Sequence, residues 1–261
     1  MDIEERQAEI SQLVRARKKV KALALSEMFD VSVETIRKDL LDLQEQGVLV
    51  RVHGGAQVRA GGQESAYERR RTVNTAAKEA IAALAADTLE DGSTIYLDYG
   101  TTTYALAAAL LRTGRRLTVF TNALPIANLL AESETIETVV LGGILRRNER
   151  SLYGPIAERS LELVHMDAGF FGCAGIDPRN GISNHHPFEA AASRLAMTHC
   201  DSVVVLADSE KFSTTAPNKI ADLSQIDFLV TDTAPGPEFT TALTAADVTV
   251  ITPEEPTDGL S

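Results

Sequence analysis

The sequence predicts an α/β protein in two parts: a small helical domain closed by a β-hairpin, then a larger domain built on a mainly parallel sheet. Three observations carry this. In residues 1–60 apolar side chains recur at helical spacing and then form two short β-rich runs around His53-Gly54-Gly55. From about residue 75 β-rich runs alternate with helical stretches, the pattern of a sheet covered by helices. The charge divides at the same place: residues 1–60 hold 10 basic and 10 acidic side chains, and residues 61–261 hold 15 and 27. The whole net charge of −12 therefore lies in the second part, and 261 residues suit two domains at about 100–200 residues each. Such acidity excludes a protein that coats nucleic acid over its whole surface.

Ile3, Ile10, Leu13 and Val14 fall on one helical face and predict a first helix over 3–16. A basic run follows, with Arg15, Arg17, Lys18, Lys19 and Lys21. Leu25, Met28 and Phe29 give a short second helix stopping at Asp30; Val31 fills the turn, and Ser32 is a good N-cap for a third helix. In that helix Val33, Ile36, Leu40 and Leu43 form the apolar stripe, Glu34, Thr35, Lys38 and Asp42 lie opposite, and Arg37 flanks them. Gly47 ends it, and Val48–Val52 with Ala56–Val58 read as a hairpin carrying Arg51 and His53. Residues 1–58 thus read as a winged helix-turn-helix. Ser32, Glu34, Thr35, Arg37, Lys38, Arg51 and His53 are its candidates for meeting DNA, because short polar and basic arrays of this kind reach base edges and phosphates. A charged face that merely meets solvent has the same periodicity, so the pattern alone leaves both readings open.

Residues 59–74 are expected to form a linker, beginning Arg59-Ala60-Gly61-Gly62-Gln63 and holding the basic run Arg69-Arg70-Arg71, which suits either DNA phosphate or a solvated helix start. Helices are expected near 75–89, 103–112, 123–132, 154–164, 187–199 and 238–246. Strands are expected at Thr94–Leu97, Leu117–Phe120, Thr138–Leu141, Ala168–Phe171, Ser202–Leu206, Phe228–Val230 and Val248–Ile251. The α/β domain is placed at 75–252 and a disordered tail at 253–261.

Unusual polar residues follow these strands, where open α/β sheets bind ligands. Asp98-Tyr99-Gly100-Thr101-Thr102-Thr103 leads from a strand into a helix, whose first N–H groups and dipole favour an anion. Thr121-Asn122, Gly142-Gly143, Gly175-Ile176-Asp177 and Asp208-Ser209-Glu210-Lys211 follow later strands. A helix capped by threonines, a dipole-favoured Glu189 and a surface Lys211 are the bland readings. There is neither a Walker A loop nor a G-x-G-x-x-G fingerprint, so no nucleotide cofactor is expected. Cys173 and Cys200 make no ligand-spaced motif and the neighbours His185-His186 rarely point the same way, so neither a metal nor a disulfide is expected. No apolar run approaches a membrane span and the N-terminus is acidic, so a cytoplasmic protein is expected.

The run Val31-Ser32-Val33-Glu34-Thr35-Ile36-Arg37-Lys38-Asp39-Leu40, with Leu43–Gly47 and Arg51-Val52-His53-Gly54-Gly55-Ala56, closely resembles the DNA-binding domain of the DeoR family of bacterial regulators. Leu97–Thr103, Thr121-Asn122, Leu141–Gly143, Gly175–Asp177, Glu189–Ala191 and Ala207–Phe212 resemble that family's sensor domain in the same order. The resemblance spans roughly residues 3–252. It implies a fold akin to ribose-5-phosphate isomerase, an operator on double-stranded DNA, a phosphorylated sugar or related metabolite as effector, and a homo-oligomer (dimer or tetramer). It implies that Thr35, Arg37 and Lys38 meet DNA while Asp39 braces the helix. Gly100, Thr101, Thr102 and Thr103 would hold phosphate; Asp98, Asn122, Asp177, Glu189 and Lys211 would address the sugar, with Gly143 in the same group. His185-His186-Pro187-Phe188 departs from the family's pattern beside Glu189. The expected function is a repressor of sugar uptake or catabolism genes and not an enzyme; the alternative is a sugar-phosphate isomerase with an added N-terminal module.

Overall fold

The computed structural model describes every residue except 1–2, 18, 46–47, 53, 59–66 and 254–261. The chain divides into two compact units, Met1–Ser65 and Ala66–Ser261. His53, residues 59–66 of the expected linker and the tail from 254 lie outside the described residues.

In the first unit α1 (Ile3–Arg17), α2 (Ala22–Phe29) and α3 (Val33–Glu45) enclose Ile10, Val14, Leu25, Ile36, Leu40 and Leu43. Asp30 ends α2 in the left-handed region, φ 50°. Ser32 caps α3 as expected, its Oγ accepting from the Thr35 N–H at 3.0 Å. The sequence reading missed β1 (Lys19–Lys21), where Val20 alone is apolar; it pairs with β3 (Gly55–Val58), which pairs with β2 (Leu49–Val52), giving a three-stranded wing.

The second unit begins before residue 75. Within the expected linker, α4 (Tyr67–Arg71) packs on this unit because Tyr67 buries its ring and Arg70 and Arg71 find partners there. Then come α5 (Thr75–Asp87), β4 (Thr94–Leu97), α6 (Thr101–Leu110), β5 (Leu117–Thr121), α7 (Leu124–Leu130) and β6 (Ile136–Val140). A hairpin follows, β7 (Ile144–Arg146) and β8 (Ser151–Tyr153), then α8 (Pro155–Leu161) and β9 (Met166–Gly172). The chain continues through β10 (Gly175–Asp177), β11 (Gly181–Asn184), α9 (Pro187–Met197), β12 (Cys200–Leu206), β13 (Asn218–Ala221), β14 (Phe228–Val230), α10 (Pro237–Ala245) and β15 (Thr249–Ile251).

Seven strands form one parallel sheet in the order β15-β14-β12-β9-β4-β5-β6. Side chains alternate between its faces: Ile95, Leu97, Phe170 and Val204 join one core, Tyr96, Phe171, Val203 and Val205 the other. Burial on both faces explains the nearly continuous apolar runs that made these strands legible. From β4 the chain first builds outward through β5 and β6, then returns to β9 on β4's other side. The loop after β4 therefore sits at the switch point of the sheet, where such folds leave a crevice.

Candidate functional site

On α3 the buried side is Ile36, Asp39, Leu40 and Leu43, and Glu34, Arg37 and Lys38 are exposed. Arg6 grips Asp39 with two nitrogens, at 2.7 and 3.1 Å, both side chains buried. This bidentate pair fixes α3 against α1, as the bracing reading of Asp39 expects. Asp42, placed on the outer face by its spacing, is half-buried and accepts from Gln7 Nε2 at 3.3 Å. Arg37 pairs with Glu34 at 3.0 Å across one exposed turn, a contact of small stabilising value. Ser32 and Thr35 share a 2.9 Å hydroxyl contact within the cap. Lys38 and Arg51 are exposed, and so are Lys19 and Lys21 on β1, which extend the basic surface beyond the residues singled out by sequence.

In the second unit Asp98, at the end of β4, is fully buried. It accepts from Tyr96 Oη at 3.2 Å and from Ser193 Oγ at 2.7 Å. Burial pushes its carboxyl up to about 7, against the Ser193, Tyr99 N–H and Tyr96 hydrogen bonds that pull it down; Glu149 adds to the rise. Gly100 caps α6 at φ 143°, where an added Cβ would also lie 3.2 Å from Thr103 Oγ1. No side chain caps α6, which leaves its first N–H groups to an anion. The three threonines are not equivalent: Thr101 is half-buried, Thr102 and Thr103 are buried, and Thr103 donates to the Gly100 carbonyl at 3.1 Å.

The β7–β8 hairpin organises the surrounding residues. Glu189, fully buried at the start of α9, accepts from Arg146 and from Ser151 Oγ. Ser193 ties α9 back, bonding both Asp98 and the Glu189 carbonyl. Asn122 donates through Nδ2 to the Leu152 carbonyl at 3.3 Å, while its buried Oδ1 has no hydrogen-bond partner among the described residues. Gly143 is a packing glycine: a Cβ there would meet the Tyr153 carbonyl oxygen at 2.6 Å. Phe188, at the departure from the family pattern, is exposed and stacks on Tyr153 with centroids 5.6 Å apart.

Asp177 stands apart. It accepts from the N–H groups of Arg179 and Asn180 and from Asn180 Nδ2, all at 2.9 Å, closing the β10–β11 turn. It lines a cavity of about 560 Å³ with Phe212, Glu238 and Phe239 rather than with the loop after β4. Lys211, in a short 3-10 turn, is half-buried and forms no side-chain hydrogen bond or ion pair among the described residues.

Three residues escaped the sequence reading, Asn74, Lys78 and Glu149, and Arg70 has a partner it did not foresee. Arg70 pairs with the fully buried Glu149; Lys78 donates to the carbonyls of Arg70 and Val73; Asn74 donates to Asp208 at 3.4 Å. Burial lowers the Lys78 ammonium to about 8, with Asp208 opposing and Lys211 and Arg70 reinforcing the drop. A signal existed for Lys78: it heads the stripe Lys78, Ile81, Ala82, Ala85, Ala86, a lone charge on an apolar face. Glu149, in the polar run Arg147-Asn148-Glu149-Arg150, gave none. Of the run Arg69–Arg71, Arg69 and Arg71 are exposed on α4, as a solvated helix start expects, with Arg71 4.8 Å over the Tyr104 ring, whereas Arg70 turns to Glu149. Among the described residues no group of His, Cys, Asp and Glu could hold a metal, and no helix is long and apolar enough to cross a membrane.

Residues 6–60 match the DeoR-like helix-turn-helix domain, and residues 73–233 match the DeoR C terminal sensor domain. A putative aga operon transcriptional repressor of Escherichia coli O157:H7 is 36% identical over 95% of this chain and 93% of its own. An L-fucose operon activator of Haemophilus influenzae is 34% identical over 85% and 89%, and a glycerol-3-phosphate regulon repressor of Escherichia coli is 32% identical over 87% and 89%. Among solved structures, ribose 5 phosphate isomerase A of Neisseria gonorrhoeae matches 52% of this chain and 53% of its own, at 14% identity and a TM-score of 0.40.

Proposed function

This chain belongs to the DeoR family of transcriptional regulators, and on that premise we propose that it represses sugar uptake or catabolism genes in the cytoplasm, with a phosphorylated sugar controlling its grip on double-stranded operator DNA. The observation that carries the reading is the pairing, in one chain, of an exposed basic face on α3 with an uncapped α6 N-terminus at the switch point of a parallel sheet. Phosphate is held by the N–H groups of Gly100–Thr103, and Lys211 supplies a charge to it. Asp98 and the unpartnered Asn122 Oδ1 address sugar hydroxyls. Glu189 acts through Arg146 and Ser151 by holding the hairpin, while Gly143 and Asp177 shape backbone. The relatives named as repressors of sugar and glycerol-phosphate operons support this direction of control. The chain works as a homo-oligomer, because one winged helix covers too little DNA for typical specific affinity.

Lys38→Ala and Arg37→Ala test the DNA face. Loss of a base contact is expected to cost about 1–3 kcal/mol and relax specificity at one position, and loss of a phosphate contact to weaken all sequences alike with a shallower salt dependence. Anisotropy with operator and scrambled duplexes at two salt concentrations separates the two; wild-type binding by both variants removes α3 from the interface. Calorimetry with a sugar and its phosphate, on wild type and Gly100→Val, tests the effector loop. The phosphate ester is expected to bind tighter, and Gly100→Val to abolish that preference, because valine suits neither φ 143° nor close approach of an anion. Equal affinity for both ligands refutes the phosphate loop.

The rival, an isomerase, is favoured by one observation: Asp98 sits near neutrality and could move a proton. Sustained turnover of a phosphorylated aldose by the purified chain would establish it. The regulator reading expects none.

A further inference from the structure

We propose that Arg70 is an effector-contact residue: an effector's anionic group competes with Glu149 for its guanidinium. The inference rests on the phosphate-loop reading above. Arg70 lies on α4, which packs on α6, the helix whose N-terminus is to hold phosphate. Its partner Glu149 is fully buried, and the adjoining Arg71 lies 4.8 Å over the ring of Tyr104 in the first turn of α6. Arg70 is itself only about one-quarter exposed.

The surrounding bonds show what such competition would loosen. Arg150 pairs with Glu68 at 2.9 Å, so both ends of the β7–β8 turn segment Glu149-Arg150 hold α4. Lys78 donates to the Arg70 and Val73 carbonyls, and Asn74 reaches Asp208. Residues 67–78 are thus tied by Arg70, Glu68 and Asn74 to Glu149, Arg150 and Asp208, with Lys78 bonding within the segment and Tyr67 its buried apolar anchor. A guanidinium suits this competition, because its planar fork binds a carboxylate or a phosphate with the same geometry. A competing anion would weaken the Arg70–Glu149 pair, one of the ties that hold α4 to the hairpin. In the sequence, residues 59–66 join α4 to the DNA-binding unit.

The two partners make opposite predictions for binding, and a merely structural ion pair does not. Inorganic phosphate, titrated calorimetrically into the full-length protein, is expected to bind Arg70→Gln about tenfold more weakly than wild type. Glu149→Gln should bind it about fivefold more tightly, because the competing and repelling carboxylate is gone. Hydrogen exchange on wild type provides the readout that needs no variant: phosphate should speed exchange in residues 67–78. Binding of phosphate with unchanged exchange there, or both variants binding as wild type does, overturns the inference and leaves the phosphate loop intact. No binding of phosphate by wild type, at concentrations reaching tens of millimolar, overturns both.

Discussion

Asp39→Ala is expected to cost about 3–5 kcal/mol, because it removes the bidentate carboxylate that a buried guanidinium grips between α1 and α3. The unit that bears this loss is small, and a domain of about 60 residues has little stability to spare. Calorimetry of the full chain should show the transition of the first unit moving far down or vanishing, while that of the second stays in place. Operator binding should disappear with it, although Arg37 and Lys38 are untouched. The double variant Arg6→Met with Asp39→Leu should restore much of the stability, since neither charge is then buried alone. An Asp39→Ala protein with unchanged melting would mean that the Arg6–Asp39 contact does not hold the recognition helix.

Asp98 should reveal itself through pH. Burial pushes its folded carboxyl up to about 7 from an ordinary value of 3.8. A raised acid stabilises the folded state when protonated, so its contribution is fully present below about pH 4. It is lost as pH rises toward 7 and is flat above that. Between pH 5 and 8 the penalty of ionising it amounts to roughly 2–3 kcal/mol. Asp98→Asn, which keeps an acceptor for Ser193, avoids that penalty. The variant should therefore gain on wild type by that amount at pH 8 relative to pH 5, while losing affinity for the effector. Urea denaturation at the two pH values measures it; a constant difference would place the titration elsewhere. The proposed role explains why a costly carboxylate is kept: a stability-optimised core would not hold one.

What could be read from sequence follows what each element buries. The central parallel strands are covered on both faces, so Ile95-Tyr96-Leu97 and Val203–Leu206 appear as unbroken apolar runs. In β1, β7, β8 and the β10–β11–β13 sheet the strands are three or four residues long. Lys19-Val20-Lys21 and Gly181-Ile182-Ser183-Asn184 look like loop, because pairing geometry rather than hydrophobicity makes them strands. Asp98, Asn122 and Glu189 stood out as polar groups at element ends, and all three are buried. Asp177 stood out equally, but a carboxylate that closes its own turn has the same sequence signature as one facing a ligand. Arg70 and Glu149 are separated by 79 positions, and neither alone distinguishes a surface charge from half of a buried pair.

The most direct test of the central claim is fluorescence anisotropy of the full-length protein on DNA from its own promoter region, titrated with phosphorylated sugars and with the same sugars lacking phosphate. The account predicts specific binding well above that to scrambled DNA and release by a phosphorylated sugar at concentrations where the unphosphorylated form does nothing. Lys38→Ala should weaken the binding, and Gly100→Val should bind DNA but ignore the phosphorylated sugar. Failure to distinguish promoter from scrambled DNA, or release by both forms of the sugar alike, would contradict it.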